Sequence, residues 1–170
     1  MSRRLTLLRH GEAAAPGQAG PDGDFERALT RRGEAEAWDS ASGIAAASPP
    51  PTRILASDAR RTGQTAAIAR DALGLPSRDY APDARLYHAD VRALLAVIAE
   101  VDDACGHLLV VGHNPGLSEL VHVLAPGSAF GSLATGAWAT LESPAESWAL
   151  LDSERARLER SGSPSAGGAR

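Results

Sequence analysis

The residues of this chain most able to do chemistry are two histidines and a group of arginines set in short polar motifs. They are Arg9-His10-Gly11-Glu12, Ser57-Asp58-Ala59-Arg60-Arg61 and Gly112-His113-Asn114-Pro115. An imidazole is largely neutral near pH 7, so one ring nitrogen has a lone pair for nucleophilic attack while the other is oriented by donating a hydrogen bond. An arginine presents a planar fork of donors that matches phosphate oxygens, and two of them offset the charge of a dianion while leaving its phosphorus open. This set predicts a phosphoryl pocket with His10 as nucleophile, Arg9 and Arg61 as the binding pair and His113 across the phosphate as an electrostatic partner. Gly11 is expected to let the backbone turn sharply and approach the substrate, and Asn114 is a candidate substrate-binding residue. Arg60, next to Arg61, reads as a solvated charge, and His88, His107 and His122 read as structural or surface residues.

Each motif follows a segment that reads as a strand. Arg4-Leu-Thr-Leu-Leu8 and Arg53-Ile-Leu-Ala56 are short and apolar, and His107-Leu-Leu-Val-Val-Gly112 has the unbroken pattern of a central parallel strand covered on both faces. Helices are expected between them. Thr30 can cap one that ends at Pro49-Pro-Pro51, and Ser57 or Asp58 one that stops at Gly74. Asp90 can cap Val91, Leu94, Leu95, Ile98 and Val101 at clean helical spacing, and Asn114 with Pro115 can open another. Trp138-Ala-Thr-Leu-Glu142 and Trp148-Ala-Leu-Leu151 read as two late strands, and Trp38, Trp138 and Trp148 as core or edge packing. The alternation predicts a three-layer α/β/α sandwich with a mostly parallel sheet, organised as one domain over 1–160 with a disordered tail over 161–170. All three motifs then share one edge of the sheet, two of them at helix N-termini, where anions bind.

The order and spacing of Arg9-His10-Gly11, Ser57-x-x-x-Arg61-x-x-Gln64-Thr65-Ala66 and Gly112-His113-Asn114-Pro115 resemble the histidine phosphatase superfamily, whose fold is that of the phosphoglycerate mutases. The likeness runs from about residue 4 to residue 152, and Arg27-Ala-Leu-Thr30 with Arg85-Leu-Tyr87 points to its small SixA-type phosphohistidine phosphatase branch. The resemblance implies that His10 is transiently phosphorylated, that Arg9, Arg61 and His113 complete the pocket, and that water releases phosphate with no metal and no cofactor. It also brings Arg27 to the pocket rim, although Ala28 replaces the proline usual there. The acid insert of the mutases is absent between the second and third motifs, which leaves Asp83, or Glu12, as the candidate proton donor. A phosphoramidate can be protonated on nitrogen before it departs, so this gap favours a phosphohistidine substrate.

Composition narrows the partners. The 170 residues carry a formal charge of -4 and their basic residues are scattered, which argues against nucleic acid. All 17 basic residues are arginine, so neither a Walker-type lysine nor a Schiff base is available. With Cys105 as the one cysteine, an intrachain disulfide and a thiolate zinc cluster are excluded. No segment has the length of a membrane span or a signal-peptide core, and a cytoplasmic protein is expected. The partner is then a phosphorylated protein or a small phosphorylated molecule. A phosphomonoester phosphatase, a mutase, a metal hydrolase using His10, Glu12 and His113, and a non-catalytic phosphoprotein-binding module are the competing readings. The loops at 13–28 and 126–136, which would select the substrate, carry no readable code.

Overall fold

A computed structural model describes residues 2–17, 20–152 and 155–165. Six strands form one sheet in the order β3-β2-β4-β1-β5-β6. They are β1 (Arg3–Arg9), β2 (Arg53–Ala56), β3 (Tyr80–Pro82), β4 (His107–Gly112), β5 (Trp138–Ser143) and β6 (Arg157–Gly162). The first four run parallel, and β5 and β6 close the other side antiparallel. Every residue of β4 is buried, as its apolar run predicts for a strand flanked on both sides and covered on both faces. Helices α1 (Arg31–Ala45) and α2 (Arg60–Leu73) pack on one face with Leu8, Ile54, Leu109 and Val111. Helices α3 (Val91–Ile98) and α4 (Gly116–Leu124) cover the other with Leu5, Leu7, Leu108 and Val110. Neighbouring residues of β1 and β4 thus serve opposite cores, as strand alternation requires.

Local chemistry accounts for most helix ends. Thr30 accepts from the Gly33 N–H at the start of α1, Asp90 accepts from Ala93 at the start of α3, and Gly74 ends α2 in the left-handed region at φ 65°. The expected caps of the other two helices are absent. Neither Ser57 nor Asp58 caps α2, which starts after Ala59, and the residue before α4 is Pro115, not Asn114.

The chain beyond β5 departs most from expectation. Trp148–Leu150 is a 3-10 turn, not a strand, because the Trp148 indole is buried and donates to the Cys105 carbonyl at 2.9 Å. The partner of β5 is instead β6, whose Gly162 lies against the Trp138 ring where a Cβ would come within 2.7 Å. The sheet therefore runs into the segment expected to be disordered, and the Ser165 N–H still bonds the Asp39 carboxylate. The rest of that tail, 166–170, lies outside the described residues. Trp38 is half exposed and belongs to neither core nor edge. Among the described residues no helix is long and apolar enough to cross a membrane.

Candidate active site

Parallel registry decides where the motifs fall. Arg9 pairs with Gly112, and Ala56 with Val111, so β1, β2 and β4 end level and release their next residues on one edge. His10, Arg61 and His113 meet there, and all three are buried, Arg61 to 1% exposure. The His10 and His113 rings stand edge to face with centroids 5.4 Å apart.

His10 is held by its own turn. Nδ1 lies 2.8 Å from the Gly11 carbonyl oxygen, an acceptor, so Nδ1 carries the proton and Nε2 keeps the lone pair. The Arg61 Nε–H donates to that Nε2 at 3.3 Å. Burial, reinforced by the charges of Arg61, Arg9 and Arg27, pushes the His10 pKa down to about 4. Burial with the Arg61 charge pushes that of His113 down to about 3. Both rings are therefore neutral at pH 7. His113 receives Arg61 Nη2 on Nδ1 at 3.3 Å and contacts Ser57 Oγ through Nε2 at 2.8 Å, so the serine that was expected to cap α2 orients an imidazole instead.

Arg9 reaches the same edge, where its Nη1 donates to the Leu133 carbonyl at 3.0 Å and its Nε is buried without a partner. Partial burial lowers its pKa from the ordinary arginine value. The Asn114 amide is consumed elsewhere: it donates to the Leu133 carbonyl and accepts from Ser118. Asn114 thus braces the loop that Arg9 also holds, with one of its two amide N–H donors spent on Leu133. Gly11 has a packing role as well. A Cβ on it would lie 2.2 Å from the Gly33 carbonyl oxygen, so its smallness lets β1 pack on the start of α1.

The two candidate proton donors are occupied. Asp83 is gripped by the Arg85 guanidinium at 2.7 Å, which holds its carboxyl below the usual range. Glu12 accepts from the Thr30 hydroxyl at 2.8 Å and faces Arg32 at 3.5 Å. The carboxylate that does reach the pocket is one with no sequence signal, Asp24. Its Oδ2 accepts from Arg61 Nη2 at 2.9 Å, Tyr87 Oη at 2.7 Å and His88 Nε2 at 3.1 Å, and its Oδ1 pairs with Arg27 at 2.7 Å. Burial opposes its ionisation, but hydrogen bonds from Tyr87, His88 and Arg61 outweigh it and hold the carboxyl far below its usual range. Arg27 is thus joined to Arg61 through the Asp24 carboxylate that both of them bind. His88, read as a structural or surface residue, stands beside the pocket with its ring 4.9 Å from His113 and its backbone at φ 49°, a strained position for a side chain with a Cβ. Its neighbour Tyr87 packs edge-on to His113 at 5.4 Å.

Residues 5–87 match the family model of the histidine phosphatase superfamily, branch 1. A Mycobacterium tuberculosis protein of uncharacterized function is 38% identical over 120 residues, covering 69% of this chain and 70% of its own. The chain belongs to the histidine phosphatase superfamily. Among solved structures, a Nakamurella multipartitia protein assigned as a phosphohistidine phosphatase SixA aligns with a TM-score of 0.81 at 27% identity, over 98% of each chain. The protein histidine phosphatase SixA complexed with tungstate aligns at 0.77 and 26%, over 95% of this chain and 97% of its own. The fold is thus the phosphoglycerate mutase-like one, and membership of this superfamily supports a phosphatase. Within the superfamily match, residues 5–87 carry His10, Arg61 and Asp24, while His113 lies beyond it, directly after the central strand. Among the described residues no group of three or more His, Cys, Asp or Glu side chains is arranged to hold a metal ion.

Proposed function

We propose that the protein is a cytoplasmic, metal-independent phosphatase that removes the phosphoryl group from phosphohistidine in a protein substrate, through a phosphorylated His10. His10 Nε2 attacks phosphorus as the bond to the leaving nitrogen breaks, that nitrogen keeps the bonding pair, and the imidazole departs neutral with its other ring nitrogen carrying a proton taken from solvent. Water then attacks the phosphorus of phospho-His10, the P–Nε2 bond breaks, and inorganic phosphate leaves a neutral imidazole. Arg61 and Arg9 bind the equatorial oxygens, and His113 lies beside the in-line path.

The observation that carries the nucleophile is the His10 tautomer: the ring is neutral, its Nδ1–H is spent on Gly11, and its Nε2 lone pair points at the arginine that would bind the phosphoryl group. The substrate class rests on the pocket's lack of a poised acid. His10 and His113 are unprotonated at pH 7, and Asp24 and Asp83 are held ionised. A phosphate ester of an ordinary alcohol needs its leaving oxygen protonated, whereas a phosphohistidine ring takes a proton from water on its other nitrogen beforehand. A rim on which Asp24 is 40% and His88 53% exposed also suits a substrate carried on a protein surface.

The test is phosphate release from a phosphohistidine-bearing protein and from p-nitrophenyl phosphate, with EDTA present, by wild type and His10→Ala. The expected result is EDTA-resistant release that prefers the phosphohistidine protein and falls at least about a thousandfold in His10→Ala. Equal activity in the variant would overturn the nucleophile. A clear preference for the ester would overturn the substrate class.

A further inference from the structure

The Arg61 guanidinium orders the pocket from end to end. Its Nε faces His10 Nε2 at 3.3 Å, and its Nη1 and Nη2 face Asp24, at 2.6 Å to the carbonyl oxygen and 2.9 Å to Oδ2. A phosphoryl group seated on this fork has the nucleophile on one side and the Asp24 carboxylate on the other. In-line attack expels the leaving group away from the nucleophile, so the departing group faces Asp24.

We infer that Asp24 is a specificity-determining residue that reads the leaving group, accepting one that is neutral or positively charged and donates an N–H, such as imidazole, and rejecting one that carries a carboxylate. This deepens the proposed phosphatase reading, on which it rests. The carboxylate has only acceptor capacity, because Tyr87, His88 and the two arginines all donate to it. It is also fixed independently of the phosphate site. Arg27, three residues along the same turn, binds Oδ1 and the Ala14 carbonyl, while Tyr87 and His88 bind Oδ2. A phosphoryl group that takes over the Arg61 donors therefore leaves the Asp24 carboxylate in place at the rim. An imidazole N–H arriving there meets an ionised acceptor, and the exposed edge of His88 with Tyr87, whose rings lie 4.3 Å apart, gives it an aromatic wall. A phosphorylated hydroxy acid brings a second negative charge to the same place and is repelled.

Binding of non-hydrolysable phosphonates separates this selectivity from turnover. Titration calorimetry at low salt would compare phosphonoacetate, benzylphosphonate and imidazolylmethylphosphonate on wild type and Asp24→Asn, in which the amide oxygen can keep the donors to Oδ2 while the NH2 replaces the acceptor that faced Arg27. Removing the charge should strengthen phosphonate binding in general. The signature is the ratio: affinity for phosphonoacetate relative to imidazolylmethylphosphonate should rise about tenfold in Asp24→Asn, with benzylphosphonate between, and the rise should shrink at 1 M salt. A ratio unchanged within twofold overturns the inference, because a purely structural Asp24 would weaken all three ligands alike. Wild type that binds with this selectivity yet releases no phosphate from phosphohistidine would overturn the phosphatase reading and leave the selectivity standing.

Discussion

Lowering the pH from 7 to 5 should destabilise the folded protein by about 4 kcal/mol, through the two pocket imidazoles. In the unfolded chain each has an ordinary pKa of about 6.5. Folding depresses these values to about 4 for His10 and about 3 for His113, chiefly by burial. Both shifts are downward, so the neutral ring is the folded form, and the unfolded state binds more protons as the pH falls below 6.5. Stability is then fully present above pH 6.5 and is lost down to the folded values. Over the window from pH 7 to 5 the unfolded rings become almost fully protonated while the folded rings stay mostly neutral. The slope of about 1.4 kcal/mol per unit per ring then gives about 2 kcal/mol each. Both rings are more than nine-tenths buried, so solvent screening takes little from this figure. His107, buried between Thr6 and the Pro49 carbonyl with its pKa also lowered by burial, adds in the same direction. Asp24 and Asp83 act in the same sense but at lower pH, below the ordinary carboxylate range. The assay is urea unfolding at pH 7, 6 and 5 on wild type and the double variant His10→Gln/His113→Gln. The variant should keep only the His107 part of the slope. An identical pH dependence in the two proteins would falsify the burial argument for the pocket imidazoles.

Two further outcomes follow from the packing around the site. Gly11→Ala and Gly33→Ala should each lower stability by about 3 kcal/mol, roughly 8 °C in melting temperature, since their Cβ atoms would lie 2.2 and 1.9 Å from backbone oxygens of facing segments. Thermal melts read this directly, and an unshifted Gly11→Ala would mean that the close approach of β1 to α1 relaxes without strain. Asp83→Asn should leave kcat and KM for phosphohistidine protein within about twofold of wild type, because its carboxyl is already ionised and spent on Arg85. A hundredfold drop in kcat alone would restore Asp83 as the proton donor.

How far the sequence could be read depended on whether a signal was local. The apolar runs of β1, β2 and β4 and the caps Thr30, Gly74 and Asp90 are local, and each formed the element its pattern predicts. Parallel strand order then brought His10, Arg61 and His113 to one edge without further information. The three-residue β3, on the sheet margin and ending in Pro82, offers too little pattern to read. In β6 the residues Arg157-Leu-Glu-Arg-Ser-Gly162 have a polar, exposed pattern. What makes them a strand is pairing with β5 and the Trp138 ring, under Gly162 and 5.5 Å from Arg160.

Asp24 shows the same limit at the site itself. Asp83 and Glu12 looked like acids because they stand beside motif residues, yet each carboxylate has a partner outside the imidazole pair, Arg85 two residues on for Asp83, and Thr30 with Arg32 at the start of α1 for Glu12. Asp24 has a local partner too, Arg27, but the partners that bring it into the pocket are Arg61, Tyr87 and His88, 37, 63 and 64 residues away. No periodicity or spacing encodes contacts of that separation; they exist because the sheet edge gathers α2 and the segment before α3 against the loop after β1. The consequence is chemical. A carboxylate chosen by sequence proximity would have been assigned as a proton donor, whereas the one the fold delivers is an ionised acceptor among arginines, and an acceptor at that position discriminates among leaving groups instead of protonating them.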